Sequence, residues 1–147
     1  MISIQTENFN IDKIINELRS SNNSIGAIVT FSGYVRDFKS LHDRAADHLY
    51  LEHYEGMTHK SLEDIDNFAR SKWNLIDTRI IHRIGSIKLS EPIVLIVVAS
   101  KHRDDAFDAC RYIIDFLKIE APFWKKEVSN NHSSWVEQKD SDLVKIK

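Results

Sequence analysis

Cysteine, proline and glycine are scarce in this sequence, which has one, two and four of them in 147 residues. A single thiol, Cys110, cannot close an intramolecular disulfide and cannot form a CxxC zinc pair. It falls on the apolar side of a predicted helix, the position of a buried, inert thiol rather than a nucleophile. So few chain breakers, with no repeat, low-complexity tract or linker, predict one domain over residues 1–147, long enough for a single core.

Other absences narrow the function. No apolar run approaches the roughly 20 residues of a bilayer span, and no basic-then-apolar signal opens the chain, so a cytoplasmic protein is expected. The formal net charge of -2 and the lack of a basic stripe argue against nucleic acid as a partner. Any anion site must therefore be local. There is no Walker-type glycine loop and no GxGxxG, and Ser32 and Ser100 lack a nucleophile-elbow context. Seven histidines include neither an HxH pair on a strand nor an HExxH motif. His42 and His48, read as loop residues, have no obvious companions, so neither a metal site nor a resident cofactor is expected.

What is present is an ordinary globular pattern, 42% hydrophobic and 29% charged. Asn10 is placed to cap a helix whose apolar positions are Ile11, Ile14, Ile15 and Leu18. "GAIVTFSGYVR" and "LYLEHY" read as strands on either side of a polar loop. Thr58 is the expected cap of a second helix with Leu62, Ile65, Ala69 and Trp73 inside. "TRIIHRIGSI" reads as one strand with a solvated face. "PIVLIVVAS" is an unbroken β-branched run, the mark of a central strand covered on both sides. A third helix is expected from Asp104 to about Lys118, closed by Pro122, and "FWKKEV" and "SSWVEQ" supply two terminal strands. The sum predicts an α+β fold, a mixed sheet with helices packed on it.

Two stretches offer chemistry. In "SKHRDD" the residues Lys101, His102 and Arg103 follow the central strand and precede a helix, where unpaired N–H groups favour phosphate. Against that, Asp104 and Asp105 already complement the helix dipole. In "FLKIEAPFWKKE", Lys118 sits in a last helical turn, which favours a cation in any case. Lys125 and Lys126 are successive strand residues and must point to opposite faces, one with Phe123 and the other with Trp124. A lysine held against aromatic surface loses hydration and becomes more available as a base or nucleophile, although a solvated stem is the commoner arrangement.

Taken in order, "GAIVTFSGYVRD", "LEHYEGM", "IHRIG", "KHRDDAFDACRYIIDFLK", "APFWKKE" and "WVEQKDSD" resemble the large, catalytic subunit of molybdopterin synthase, from Gly26 to Asp142. The resemblance implies an α/β hammerhead-type fold and a homodimer with a small ubiquitin-like sulfur carrier at each end, a heterotetramer. It implies conversion of cyclic pyranopterin monophosphate to molybdopterin, with two sulfurs delivered from the carrier's C-terminal thiocarboxylate. Lys118 and Lys125 match the family's catalytic lysines, and Arg36, His102 and Arg103 match its substrate-pocket residues. Lys139 falls where relatives often have arginine, and Ser86 departs from the usual residue after the glycine of "IHRIG". The resemblance further implies that His102 and Arg103 of one subunit complete a pocket carrying Lys118 and Lys125 of the other. Two other classes fit the bare composition: a non-catalytic docking subunit for a ubiquitin-like partner, and a small-ligand sensor.

Overall fold

A computed structural model describes residues 1–36, 48–129 and 132–136. Lys139, His42 and the polar stretch 37–47, expected as a loop, lie outside the described residues. The elements run β1 (Ile2–Gln5), α1 (Ile11–Ser21), β2 (Ala27–Tyr34), β3 (His48–His53), α2 (Met57–Lys72), β4 (Leu75–Arg83), β5 (Gly85–Lys88), β6 (Pro92–Ser100), α3 (Arg103–Glu120), β7 (Phe123–Ser129) and β8 (His132–Val136). They form two four-stranded sheets, ordered β1-β4-β6-β2 and β5-β3-β7-β8. The first is mixed, because β1 runs parallel to β4 while β6 is antiparallel to both of its neighbours. The second is antiparallel throughout. The expected α+β class with a mixed sheet and packed helices is what the chain adopts.

Strand β6 shows why its sequence has no polar alternation. Val94, Ile96 and Val98 face a core shared with Leu62, Ile65 and Ala69 of α2 and Ala106, Cys110 and Ile113 of α3. Leu95 and Val97 point the other way, onto Ile14 and Leu18 of α1. With period 2 and a helix layer on each side, every position from Ile93 to Ala99 is apolar. Each fully buried valine, leucine or isoleucine contributes on the order of 1.5–3 kcal/mol relative to exposure. Cys110 is buried in the α3 core, and burial pushes its thiol up to about 11. A smaller cluster, Val35, Leu49, Leu51 and Ile87, lies under the second sheet.

Local capping follows the sequence in one helix and departs from it in another. The Asn10 side chain accepts from the Lys13 N–H at 3.0 Å, as its spacing predicts. Helix α2 instead starts after Gly56, whose φ of 81° is a left-handed conformation suited to glycine. Thr58 is buried within the first turn and its hydroxyl donates to the Pro122 carbonyl at 3.1 Å, so it ties α2 to the α3–β7 corner rather than capping the helix.

Three further readings are corrected. "TRIIHRIGSI" is two strands in different sheets, divided at Ile84, and it has no solvated face where Ile80, Ile81, His82 and Arg83 lie. Ile80 packs into the α2–α3 core, Ile81 against α1, His82 against Phe123, and Arg83 is bound by Thr6, Glu91 and Pro92. His48 opens β3 instead of lying in a loop. Strand β1, with Ile2 and Ile4 packed against the α2–α3 core, completes the edge of the first sheet and was not expected. Among the described residues no helix is long and apolar enough to cross a membrane.

Candidate active site

The second sheet decides which way the lysines of β7 point. Residues directly opposite across an antiparallel pair share a face. Lys125 opposes Leu51 and Phe123 opposes His53, while Lys126 opposes Tyr50 and Trp124 opposes Glu52. Leu51 is 1% exposed and belongs to the small core, so the face with Phe123 and Lys125 is the inner one. Lys126 lies on the outer face, where its Nζ sits 5.6 Å from the centre of the Trp135 ring, a cation–π contact that accounts for it. On that outer side Tyr54 meets Trp124 edge-on at 4.3 Å, and these rings with Trp135 and Glu52 line a groove of about 430 Å³.

On the inner side the side chains converge on His82, near the end of β4. The imidazole is 4% exposed and lies flat on the Phe123 ring, with centroids 3.7 Å apart and an interplanar angle of 13°. His53 is 6.4 Å from the same phenyl ring. The His82 Nδ1 is 2.8 Å from the Arg83 carbonyl oxygen. A carbonyl can only accept, so Nδ1 carries the proton of the neutral ring. Burial pushes the His82 pKa down to about 4, opposed by that hydrogen bond and helped by the positive surroundings of Lys125, His53 and Lys118. Lys118, exposed in the last turn of α3, and Lys125, half-buried on β7, both add positive charge that disfavours protonation of this buried ring, although seven positions separate them in the chain.

The second group of expected site residues lies elsewhere on the chain. His102 is the residue before the first turn of α3, with extended backbone and no side-chain cap, and it and Arg103 are exposed. This strand-to-helix turn is held from below. The buried Ser100 hydroxyl donates to the His102 carbonyl, and the Gly26 N–H donates to the Ser100 carbonyl at 3.0 Å. Of the two aspartates in the first turn, Asp105 accepts from the Asn74 N–H at 3.3 Å and so is directed toward the end of α2. From Arg103 to Lys118 the helix rises about 22 Å, at roughly 1.5 Å per residue. Within one chain, His102 and Arg103 therefore do not meet the lysines. Arg36, exposed two residues after β2, belongs to the lysine end, because Tyr34 opposes Pro92 while Ala27 opposes Ser100.

Residue-by-residue reading missed His82, Phe123 and His53 as parts of this neighbourhood. The available signal was a histidine on the same side of a strand as Ile80, a polar ring where only apolar ones were expected. Glu127, whose carboxyl is raised by partial burial, shares the inner face with Lys125 and was missed as well.

Comparison with known proteins supplies the deciding observation: residues 4–120 match the model of the family described as MoaE protein. The chain belongs to the MoaE protein family. A curated MoaE relative, the molybdopterin synthase catalytic subunit of Pseudomonas aeruginosa, is 45% identical over 96% of this chain and 93% of its own. The MoaE protein of Burkholderia ambifaria superposes with a TM-score of 0.80 at 39% identity, covering 99% of this chain and 97% of that one. Molybdopterin synthase from Staphylococcus aureus gives the same TM-score at 34% identity, covering 91% of this chain and 95% of that one. The resemblance read from the motifs is thereby borne out.

Proposed function

We propose that Lys118 and Lys125 carry out sulfur transfer from the C-terminal thiocarboxylate of a small ubiquitin-like carrier to cyclic pyranopterin monophosphate, yielding the molybdopterin dithiolene. The frame for this is family membership: the chain is a molybdopterin synthase catalytic subunit, a sulfurtransferase-type enzyme of molybdenum cofactor biosynthesis. That frame favours catalysis over a mere docking subunit or a ligand sensor. A catalytic subunit acts with a partner subunit, and the carrier is the partner proposed here.

The observation that supports the lysine assignment is the inward turn of Lys125 beside Phe123, next to the ring that also feels Lys118. Releasing sulfur from the carrier breaks the thiocarboxyl carbon–sulfur bond. The thiocarboxylate sulfur first bonds to a side-chain carbon of the pterin as a C–O bond of that carbon breaks and its oxygen departs, giving a thioester. Water then adds at the thioester carbon, an oxyanion forms and collapses, the carrier leaves as a carboxylate and the sulfur stays on the pterin as a thiolate. An ammonium beside the oxyanion stabilises it in a partly dry site, and an amine accepts the proton that the attacking water must lose. Two lysines in one neighbourhood meet both needs.

The phosphate of the substrate is assigned to His102 and Arg103 at the α3 N-terminus and to Arg36, with Lys139 as a further cation. Because one chain separates the α3 N-terminus from Lys118 by about 22 Å, the proposed pocket is shared in a homodimer: His102 and Arg103 of one subunit face Lys118 and Lys125 of the other. With a carrier at each end the assembly is a heterotetramer, working in the cytoplasm without a resident cofactor. The test is reconstitution of purified protein with thiocarboxylated carrier and cyclic pyranopterin monophosphate. Formation of the dithiolene product, dependent on all three components, is expected; carrier binding without product rejects the catalytic reading.

A further inference from the structure

The corner between α3 and β7 sets the distance between the two lysines, because Lys118 precedes it and Lys125 follows it. Contacts of three kinds hold that corner: two backbone hydrogen bonds, one side-chain hydrogen bond and one ring contact. The Ala121 N–H donates to the Leu117 carbonyl at 3.2 Å and the Phe123 N–H to the Ala121 carbonyl at 2.9 Å. The Thr58 hydroxyl of α2 fixes the Pro122 carbonyl at 3.1 Å. The third is the flat contact of His82 on Phe123, the one that grips a side chain next to Lys125 on the inner face.

We propose that His82 is a positioning residue for sulfur transfer, acting through its ring-to-ring contact with Phe123 to fix where Lys125 stands relative to Lys118; this rests on the lysine site proposed above. The hydrogen bond from Nδ1 to the Arg83 carbonyl sets the plane of the imidazole. Arg83 is itself anchored, since its guanidinium donates to the Thr6 and Pro92 carbonyls at 3.0–3.2 Å and pairs with Glu91 at 3.0 Å. A rigid strand end thus presents a flat surface to Phe123. The ring is not the proton acceptor of the reaction, because a group titrating at about 4 is too weak a base at neutral pH. Its contribution is shape, delivered from β4 in the first sheet to β7 in the second.

The test compares two variants that both fill the site. His82→Leu supplies apolar volume without a flat ring, and His82→Phe restores the flat ring. Turnover, carrier affinity, melting temperature and the NMR signal of the Lys125 side-chain methylene next to Nζ are measured in each. His82→Leu is expected to lower kcat on the order of 10-fold to 100-fold, with carrier affinity held and the Lys125 signal displaced. His82→Phe is expected to recover kcat to within about threefold of the parent protein, with the signal returned. Should His82→Leu fail to fold, Phe123→Leu removes the other ring and is read by the same criteria. Parental kcat in His82→Leu, or equal losses in the leucine and phenylalanine variants, overturns positioning by the ring. Parental kcat in Lys125→Ala is a separate result that rejects the lysine site itself.

Discussion

At the scale of single residues, the useful contrast is among three lysines of nearly the same sequence context. Lys126 is accounted for by Trp135, whereas Lys118 and Lys125 both add to the positive charge that keeps His82 neutral. Lys118→Ala is expected to reduce dithiolene formation on the order of 100-fold or more, the range of a lost acid–base or oxyanion partner, with little change in melting temperature because the side chain is exposed. Turnover and melting temperature measured on one preparation check this; near-parental turnover returns Lys118 to a helix-end cation. His82 gives a prediction of a different kind. Its pKa is about 6.5 unfolded and about 4 folded, so between these values the unfolded chain binds the extra proton and the folded one does not. Stability from this group is therefore complete above pH 6.5 and is lost as the pH falls toward 4, on the order of 3 kcal/mol in all. Urea unfolding at a series of pH values should show a loss over this window that is absent in His82→Phe. The opposite faces of Lys125 and Lys126 were legible from strand alternation. Which face was inner was not, because that depends on Leu51 across the sheet.

At the scale of elements, the strand-to-helix turn at Ser100 to Arg103 and the helix-to-strand corner at Ala121 to Phe123 bound the same helix, and each is held by a contact from a distant part of the chain. Gly26 lies so close to the Lys101 carbonyl oxygen that a Cβ there would overlap it. Gly26→Ala is expected to cost about 1–3 kcal/mol, the usual range for overpacking, and to displace the backbone carrying His102 and Arg103. Denaturant unfolding measures the first effect and pterin affinity the second; unchanged values in both would show that the turn yields freely. Arg103→Ala, by contrast, should leave stability alone and weaken pterin binding by about 1.5–3 kcal/mol, with lysine a partial substitute. The helices and the strand β6 were legible because their periodicity is long and strong. The division of "TRIIHRIGSI" was not, since the end of β4 and the start of β5, in different sheets, together carry the same alternation as one continuous strand. Nor was the role of Thr58, which matches a cap locally and is claimed instead by Pro122, 64 residues away.

At the scale of the whole molecule, the two groups of proposed site residues sit at opposite ends of α3, about 22 Å apart. No rotation of side chains closes that gap. The separation of the two groups was already legible from the helix expected between Asp104 and Lys118, and α3 spans Arg103–Glu120. The proposed pocket shared across a two-fold axis would reconcile the separation with one reaction, and subunit exchange tests this proposal most directly. Lys118→Ala protein and His102→Ala protein, each expected to be inactive alone, are mixed and allowed to exchange, with mixed dimers verified by mass. Random pairing makes about half the dimers mixed. Each mixed dimer then has one pocket with both defects and one with neither, and independent pockets predict recovery of about a quarter of the parental turnover. No recovered turnover in a verified mixture would mean that each pocket is built from a single chain, in contradiction of the shared site.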